Sequence, residues 1–577
     1  MKDRFLFFKP KFLIILFLAA NCQVHSQDIL WEKSYGGKQA EYLFDAIPTP
    51  DYGFILAGSS VSKKSGNKTD TNRGDLDYWV WKMDEKGDLD WQKSFGGSAQ
   101  DKLRSVVLTN EGGFLLAGSS QSGNASPNHS KEGEKGTDTP TPDYDKKDYC
   151  RGESDYWVVK LNAKGGEEWQ KTIGGSGQDE LSVVVRTKDG GFVIGGSSSS
   201  DKSGEKIVDG YGGLDYWILK LDRDGKIVWQ QTFGGNYNDE LRSIALTEDG
   251  GFLLGGSSNS TDTGTKTQKS LGQSDYWIIK LDKDGNEQWQ KTIGSKGDDQ
   301  LYEVHTAQDG HYLLGGNSNS ETGDDKRSSN SSGTDFWVLK LDKDTRDILW
   351  QETYDIAKVD VLTSLIENDD KTILLGGYAQ GELPPQTPPK EGKVARVNNK
   401  VKDTPKLKKG TGDYVVIKLN EKGEEKWRKS VGSDGEDILK KAIETRDGGY
   451  LLAGTSLSPT LSIGEGVKNT GNRNSSKGGS DFWVVKLKDK EKPKEEQPKI
   501  EAIPNPAMDY TNIIVGFEFT KGTATVVDLA GHVLQQFEIT ERTVPIEMQR
   551  LPEGVYVVSI KTDKGSGGTK VIKERKM

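Results

Sequence analysis

The sequence predicts an all-β fold, a seven-bladed β-propeller of four-stranded blades followed by a small C-terminal β-sandwich. A phrase that is clearest as DYWIIKLDKDGNEQWQKTIG, from Asp275, recurs along the chain, and each copy follows a second phrase such as DGGFLLGGSS, from Asp249. One tryptophan marks each copy, at Trp31, Trp91, Trp169, Trp229, Trp289, Trp350 and Trp427, with spacings of 60, 78, 60, 60, 61 and 77 residues. A repeat of this length indicates one supersecondary unit that is copied and stacked.

Residues 1–26 are predicted to be a secretory signal peptide. Basic residues precede the short apolar run FLIILFLAA, and Val24 and Ser26 suit cleavage before Gln27. The run is shorter than the roughly 20 apolar residues that span a bilayer. We therefore expect no transmembrane segment in the mature chain. A lipoprotein signal using Cys22 is the alternative, and Asn21 before it disfavours that reading.

Residues 27–488 are predicted to form the propeller, because each repeat holds four strand-like runs. In one copy these are LRSIALT, GFLLGGSS, DYWIIKLD and NEQWQKTIG, rich in β-branched and aromatic residues and without helical periodicity. Asp249-Gly250 and Asp284-Gly285 separate paired runs and suit tight hairpin turns. Seven such repeats therefore predict seven blades.

The two ends of the repeat region predict how the ring closes. The first tryptophan segment, from Ile29, has no strands before it, and the last DFWVVKLK, from Asp481, has no tryptophan segment after it. We expect the N-terminal strand to complete the last blade and cover its sheet edge. The tryptophan of each DYW or DFW phrase is predicted to pack between blades, with Val415 in its place in the sixth.

The repeated phrase resembles the secreted seven-bladed β-propeller repeat family of bacteria over residues 28 to about 488. The resemblance implies the fold and adds no chemistry, because that family has no single ligand or activity.

Strand alternation predicts two different faces. Short Asp-Gly turns occupy one face, and long polar loops occupy the other, two of them enlarged at 121–154 and 380–412. Rigid scaffolds often carry function on such loops, so we predict that the long-loop face binds a protein or a glycan. The alternative is that both enlargements are tolerated insertions. The net charge of −10 argues against a nucleic-acid partner.

One acid follows each repeat tryptophan and precedes the first strand of a blade: Glu41, Asp101, Asp179, Asp239, Asp299, Asp360 and Asp437. These acids could ring the axial channel and hold a hard cation such as Ca²⁺. The alternative is that each acid binds loop amides and fixes a blade junction, as expected of a residue kept in every copy.

Catalytic motifs are lacking, so we expect no enzyme, no catalytic residue and no bound cofactor other than a possible Ca²⁺. The mature propeller has three histidines in unlike segments, and the GxSxG, HExxH and phosphate-loop motifs are absent. Sixth-blade departures, with Tyr354-Asp355 and Lys371-Thr372 each replacing Gly-Gly, are interpreted as drift. Cys150, the only cysteine left after signal cleavage, is interpreted as incidental.

Residues 489–499 are predicted to be a charged linker and residues 500–577 a β-sandwich. The sandwich carries PNP, VVDLAGHVL, LPEGVYVVSI and KVIK in order, with Pro504, Asn505, Pro506, Asp528, Gly531, Gly554, Tyr556, Lys570 and Lys573 as the motif residues. Together these motifs resemble the type A C-terminal sorting domain of the Bacteroidota type IX secretion system. The resemblance implies two partners, the outer-membrane translocon and a sortase-like peptidase at the cell surface, and then attachment or release.

The combined hypothesis is a non-enzymatic binding module that is exported to the cell surface or the medium and binds an unknown protein or glycan. Two alternatives remain open. One is a secreted glycan-active or other hydrolytic enzyme that uses acids near the channel, and the other is a structural surface-layer component.

Overall fold

A computed structural model describes residues 27–123, 145–328, 333–381, 412–433, 435–457, 476–490, 500–503, 505–507 and 510–574. Within these ranges the regular structure is entirely β. Seven four-stranded antiparallel sheets follow one another along the chain, and two more sheets form the C-terminal domain. The predicted fold class is confirmed. The signal peptide and most of the predicted linker lie outside the described residues.

The propeller strands in chain order are β1 (Asp28–Tyr35); β2 (Glu41–Pro48), β3 (Phe54–Ser60), β4 (Asp77–Met83) and β5 (Leu89–Phe95) in the first blade; β6 (Asp101–Leu108), β7 (Phe114–Ser120), β8 (Asp155–Leu161) and β9 (Glu167–Ile173) in the second; β10 (Asp179–Arg186), β11 (Phe192–Ser198), β12 (Asp215–Leu221) and β13 (Ile227–Phe233) in the third; β14 (Asp239–Leu246), β15 (Phe252–Ser258), β16 (Asp275–Leu281) and β17 (Glu287–Ile293) in the fourth; β18 (Asp299–Thr306), β19 (Tyr312–Ser318), β20 (Asp335–Leu341) and β21 (Ile348–Tyr354) in the fifth; β22 (Val359–Glu367), β23 (Ile373–Gln380), β24 (Gly412–Leu419) and β25 (Glu425–Val431) in the sixth; and β26 (Glu436–Glu444), β27 (Tyr450–Leu457) and β28 (Ser480–Lys488) in the seventh.

The N-terminal strand closes the ring as predicted. Strand β1 pairs antiparallel with β28, placing Asp28 opposite Lys488 and Tyr35 opposite Phe482. The seventh sheet therefore has the order β1-β28-β27-β26, with the first strand of the chain on its outer edge. Backbone hydrogen bonds between the two ends of the repeat region satisfy an edge that would otherwise be open to other chains.

Aromatic pairs join neighbouring blades. The ring of Tyr216 in the third blade lies 4.9 Å from the ring of Trp277 in the fourth, and its hydroxyl donates a hydrogen bond of 3.1 Å to the Trp277 carbonyl. The same hydroxyl-to-carbonyl bond occurs at Tyr78–Trp157, Tyr156–Trp217, Tyr276–Trp337 and Tyr414–Trp483. These tryptophans are fully buried, which confirms the predicted packing role.

A buried ion pair fixes most Asp-Gly turns. The side chain of Lys280, on the third strand of its blade, is 4% exposed, and its Nζ lies 2.8 Å from Oδ2 of the turn residue Asp249. The following residue, Gly250, has a φ of 82°, which explains why glycine is needed there. Burial opposes ionisation of the equivalent Asp189, but its hydrogen bond from Lys220 lowers the Asp189 pKa to about 2.

The C-terminal strands are β29 (Ile500–Ile503), β30 (Tyr510–Val515), β31 (Gly522–Asp528), β32 (Val533–Ile539), β33 (Thr543–Glu547), β34 (Gly554–Thr562) and β35 (Ser566–Lys573). They form two sheets, β29-β30-β33 and β32-β31-β34-β35, over one apolar core.

The C-terminal domain contacts the short-turn face of the propeller. Tyr52, beside a first-blade turn, donates a hydrogen bond of 3.1 Å to Glu501. Arg542 lies 3.6 Å from Glu85 in the other turn of that blade. These contacts lie opposite the long-loop face.

The inter-blade tyrosine bond gives a first prediction. We expect Tyr216→Phe to lower the free energy of unfolding of the propeller by about 1 kcal/mol, because a buried hydrogen bond is lost while the ring contact remains. Denaturant unfolding measures this change. Tyr237→Phe is the matched control, because Tyr237 is 55% exposed. An equal effect of both substitutions would contradict the proposed role of the hydroxyl.

Candidate functional site

The seven first-strand acids lie in the blade junctions and do not line the channel. All seven are fully buried. Asp239 Oδ2 accepts hydrogen bonds of 2.7 Å from the Gly235 N–H and 2.9 Å from the Ser260 hydroxyl. The other six acids also accept a bond from the N–H four residues earlier, at Gly37, Gly97, Gly175, Ser295, Ile356 and Ser433.

Strand alternation explains why these acids do not form the predicted ring of channel ligands. Successive side chains of a strand point to opposite faces, so an acid and the leucine two positions later share the face that packs into the junction. Asp239 and Leu241 illustrate this arrangement, and both are fully buried. The intervening Glu240 lines the axial channel instead.

A cavity of about 450 Å³ occupies the axial channel. All seven first strands have a β-bulge at the fourth residue counted from the acid, and these bulges shape the cavity wall. In the fourth blade, for example, the pairing shifts between Leu241 and Ser243. A bulge re-aims side chains, and both the bulged residue and its successor face the cavity in most blades. The bulge residues are Phe44, Arg104, Ser182, Arg242, Tyr302, Thr363 and Lys440, and all line the cavity.

The cavity reaches the long-loop face. Gln178, from an inter-blade link, and Leu214, from the end of a long loop, contribute to its lining. Both belong to the face opposite the C-terminal domain, so a ligand has a path to the channel from the long loops.

Three cations and two aromatic rings form one layer of the cavity. The Arg104 guanidinium lies 4.5 Å and the Lys440 Nζ 6.0 Å from the Phe44 ring centre. Arg242 lies 5.8 Å from the Tyr302 ring centre and hydrogen-bonds Glu240 at 2.5 Å. In the part of the chain that the structure describes, neither Arg104 nor Lys440 forms a hydrogen bond or an ion pair with an acid.

The charge of this layer is compensated only in part, since Glu240 pairs with Arg242 but Arg104 and Lys440 have no such partner among the described residues. Burial, and then repulsion by Arg104 and Arg242, lowers the pKa of Lys440 to about 8. A bound anion would relieve that repulsion, and its hydrogen bonds to guanidinium or ammonium groups would be the strong, charge-assisted kind. We refer to Phe44, Arg104, Arg242, Tyr302 and Lys440 as the cationic layer.

The next layer of the cavity carries charges that already have partners. Lys441 Nζ lies 3.6 Å from Glu303, whose other carboxylate oxygen accepts a 3.1 Å bond from the Ser243 hydroxyl. Asp45 accepts bonds of 3.1 Å from the Ser105 hydroxyl and 2.9 Å from the Val106 N–H. The charged residues of this layer line the same cavity as the cations and rings described above.

The C-terminal motif residues hold the sandwich together. Asn505 donates a 2.7 Å bond to the Lys570 carbonyl and accepts a 2.9 Å bond from the Ile572 N–H, tying the start of the domain to its last strand. Asp528 accepts the N–H of His532 across a turn in which Gly531 has a φ of 86°.

Further motif residues lie on the neighbouring strands. Gly554 begins β34 opposite Lys573 on β35, and the Tyr556 hydroxyl donates a 2.6 Å bond to the Pro552 carbonyl. Pro506 follows Asn505 through a cis peptide bond, and Pro504 lies outside the described residues.

Residues 501–574 match the family model of the secretion system C-terminal sorting domain. The chain carries a type IX secretion sorting domain. Its sorting domain indicates export to the cell surface or the extracellular space. In the described ranges, no helix is long and apolar enough to cross a membrane.

Similarity elsewhere in the chain is lower. The regulatory protein FlaEY of Caulobacter vibrioides is 26% identical over 202 residues, which are 34% of this chain and 20% of that protein. The chain thus spans about a fifth of this relative's length.

Two solved structures also align with the chain. PorZ of Porphyromonas gingivalis, described as a surface component of the type IX secretion system, aligns over 92% of this chain and 81% of its own, with 10% identity and a TM-score of 0.25. YCF48 bound to D1 peptide aligns over 80% of this chain and 96% of its own, with 8% identity and a TM-score of 0.36. The seven sheets themselves carry the fold assignment.

The cationic layer was missed by sequence reasoning, although a signal exists. The bulge position carries six residue types in seven copies while the acid and leucine beside it recur, and such variation inside a regular strand marks residues free of packing. The enlarged loops lie largely outside the described residues. Cys150 lies in the described part of one loop, with its thiol 2.9 Å from the Ser120 carbonyl, and burial raises the thiol pKa.

The buried aspartates that begin the third strands predict an unusual dependence of stability on pH. Burial raises the pKa of Asp155, Asp215 and Asp275 from 3.8 to about 6, and that of Asp77 to about 7. The folded protein retains these protons where the unfolded chain has lost them. We therefore expect the free energy of unfolding to fall as pH rises from about 5 to about 7.5.

Urea unfolding at constant ionic strength measures this slope. His305 makes the free energy of unfolding rise with pH, because burial lowers its pKa to about 4. This single group opposes the contributions of several aspartates. Asp215→Asn should flatten the slope by removing one titrating carboxyl. A free energy of unfolding that rises steadily over the window would contradict the assignment.

Proposed function

We propose that the protein is an exported, non-enzymatic binding module that holds an anionic group of an extracellular glycan or protein in its axial cavity. The observation that carries this proposal is the pair Arg104 and Lys440, which share the Phe44 ring and have no acidic partner among the described residues. Carboxylate, sulfate and phosphate groups all suit such a site. The surrounding long loops would contact the remainder of the ligand.

A binding role suits this cavity better than hydrolysis. Glycoside hydrolysis commonly uses two carboxyl groups as proton donor and as nucleophile or base. The two carboxylates of the adjoining layer, Asp45 and Glu303, already accept hydrogen bonds, and Glu303 also pairs with Lys441. Both therefore fit a role in holding the cavity wall, and binding of this kind needs no cofactor.

The sorting domain supports two further partners, the type IX translocon and a surface peptidase that processes the domain. We expect a chain ending at residue 499 to accumulate in the periplasm, because the address lies in residues 501–574. Cell fractionation with immunodetection measures this. The full-length chain is the control, and delivery of the shortened chain to the surface would exclude the assigned role.

The cationic layer predicts opposite effects of one substitution on binding and stability. We expect Lys440→Met to weaken binding to anionic glycans on an array by about tenfold or more, which corresponds to about 1.4 kcal/mol. The same substitution should raise the Tm at pH 7, because it removes a buried cation repelled by two guanidinium groups. Lys226→Met, at an exposed lysine on the short-turn face, is the matched control.

The pH dependence sharpens this test. Because the pKa of Lys440 is about 8, wild-type affinity for an anionic glycan should fall as pH rises through that value, and Lys440→Met should lose most of this dependence. Binding of neutral glycans alone, or anion binding unaffected by Lys440→Met, would refute the site. Reproducible glycan cleavage by the wild type would favour a hydrolytic enzyme instead.

A further inference from the structure

The junction between the fifth and sixth blades departs from the geometry of the other junctions. Elsewhere a glycine follows the outer strand, and the aspartate that begins the third strand packs directly on it. A Cβ atom at Gly294 would lie 1.8 Å from Oδ1 of Asp275, and one at Gly234 would lie 1.7 Å from Oδ1 of Asp215. These glycines leave the space that the carboxylate fills.

Asp355 takes the place of that glycine in the link between β21 and β22. The Gly-Gly pair is replaced by Asp355 and Ile356, because Tyr354 ends the strand where other copies carry Ile293 or Tyr35. The sequence interpretation was therefore misaligned by one residue. The interpretation of this replacement as drift also leaves the position of Asp355 unexplained. Asp335, Asp355 and Asp360 each place a carboxylate oxygen within 4.8 Å of the others.

Asp335 is set apart from its equivalents by its lack of donors. It is fully buried, and neither of its carboxylate oxygens accepts a hydrogen bond from a described residue. The equivalent Asp215 accepts a 2.7 Å bond from the Tyr211 N–H, and Asp275 is bound by the Leu271 N–H in the same way. Asp335 instead lies beside the carboxylates of Asp355 and Asp360.

Two cations lie near the cluster and also have other partners. Lys326 donates a 3.1 Å bond to the Ser320 carbonyl, and the Arg428 side chain binds Glu425 at 2.5 Å and the Asp355 carbonyl at 3.4 Å. Lys326 lowers the pKa of Asp335 through space, and Arg428 does the same for Asp355 and Asp360. Burial and mutual repulsion nevertheless raise the pKa of Asp335 to about 7, and burial raises that of Asp360 to about 7. Three such groups are stable together only with protons or a cation between them.

We propose that Asp335, Asp355 and Asp360 bind one divalent cation that prefers oxygen ligands, such as Ca²⁺. Three carboxylates and no nitrogen or sulfur donor form a ligand set suited to Ca²⁺, Mg²⁺ or Mn²⁺ rather than to Zn²⁺ or Cu²⁺. Asp335 distinguishes this site from an ordinary acidic cluster, because it is fully buried and accepts no hydrogen bond from a described residue.

A cation at this position would join two blades where other contacts are weaker. Asp335 begins the third strand of the fifth blade, and Asp360 lies in the first strand of the sixth. At this interface Phe336 and Val415 stand where five other interfaces have the bonded tyrosine–tryptophan pair. The ion would therefore compensate in part for the tyrosine–tryptophan hydrogen bond that Phe336 and Val415 cannot form.

Titration of CaCl₂, MgCl₂ and MnCl₂ into the metal-free full chain tests the proposal by calorimetry and thermal unfolding. We expect one site with a dissociation constant of about 1 mM or tighter, as for extracellular calcium modules, and a rise in Tm of about 2 °C or more at saturation. Asp355→Gly restores the residue of the other junctions. It should abolish both responses and raise the Tm of the metal-free protein by removing one repelling charge.

Two controls make the outcome specific. Asp355→Asn keeps the side-chain volume and should also lose the response, whereas Asp275→Asn at the neighbouring junction should retain it. No heat and no Tm shift with any of the three ions at about 5 mM, above the range of known weak sites, would overturn the proposal. So would an Asp355→Gly protein that still binds with wild-type stoichiometry.

Discussion

A buried carboxylate that binds the N–H groups of each inter-blade link is the interaction on which the ring depends. The link crosses from the outer strand of one sheet to the inner strand of the next, and in most copies it begins with two buried residues, such as Gly234 and Gly235. Asp239 accepts a hydrogen bond from the Gly235 N–H and anchors the Ser260 hydroxyl as well. Without such an acceptor, each junction would leave a buried donor unpaired, at a cost of about 1–3 kcal/mol. An acid at the same position in all seven copies, glutamate in the first and aspartate in the others, thus binds the link between blades.

This constraint determines where the sequence is free to vary. The junction acid, the leucine after it and the third-strand aromatics are fixed by packing, whereas the bulge residues face water in the channel. Arg104 and Arg242 can therefore occupy positions where Ser182 and Thr363 stand in other blades. The repeated residues give every blade the same packed core. The bulge residues, which do not pack in that core, can vary and determine what the channel binds. The exception is Asp355, which stands in the link where other copies have glycine and brings a third carboxylate to Asp335 and Asp360.

The sequence predicts the fold well because the same strand pattern can be recognised in each of the seven repeats. It predicts the clasp too, because strand counting leaves one segment unmatched at each end. It could not predict the cationic layer, since a β-bulge shifts which residues face the channel and periodicity alone places Asp45 and Phe44 on opposite sides. The carboxylate cluster was hidden for another reason. Asp335 and Asp360 look like ordinary repeat residues, and only their distances to Asp355 reveal a shared site.

A protein with a net charge of −10 can still bind an anion. The acids on its surface are farther from a ligand in the cavity, and more exposed to water, than the cations that line the cavity. At physiological ionic strength, exposed charges are screened beyond about 8 Å, so acids on the rim of the disc contribute little inside the channel. The cationic layer is partly enclosed, and its interactions with a ligand are screened less. Glu240 pairs with Arg242 and Glu180 attracts Arg104 through space, whereas Lys440 is repelled by both guanidinium groups. The overall acidity then acts against weak, nonspecific adsorption of polyanions and favours a ligand that reaches the cavity.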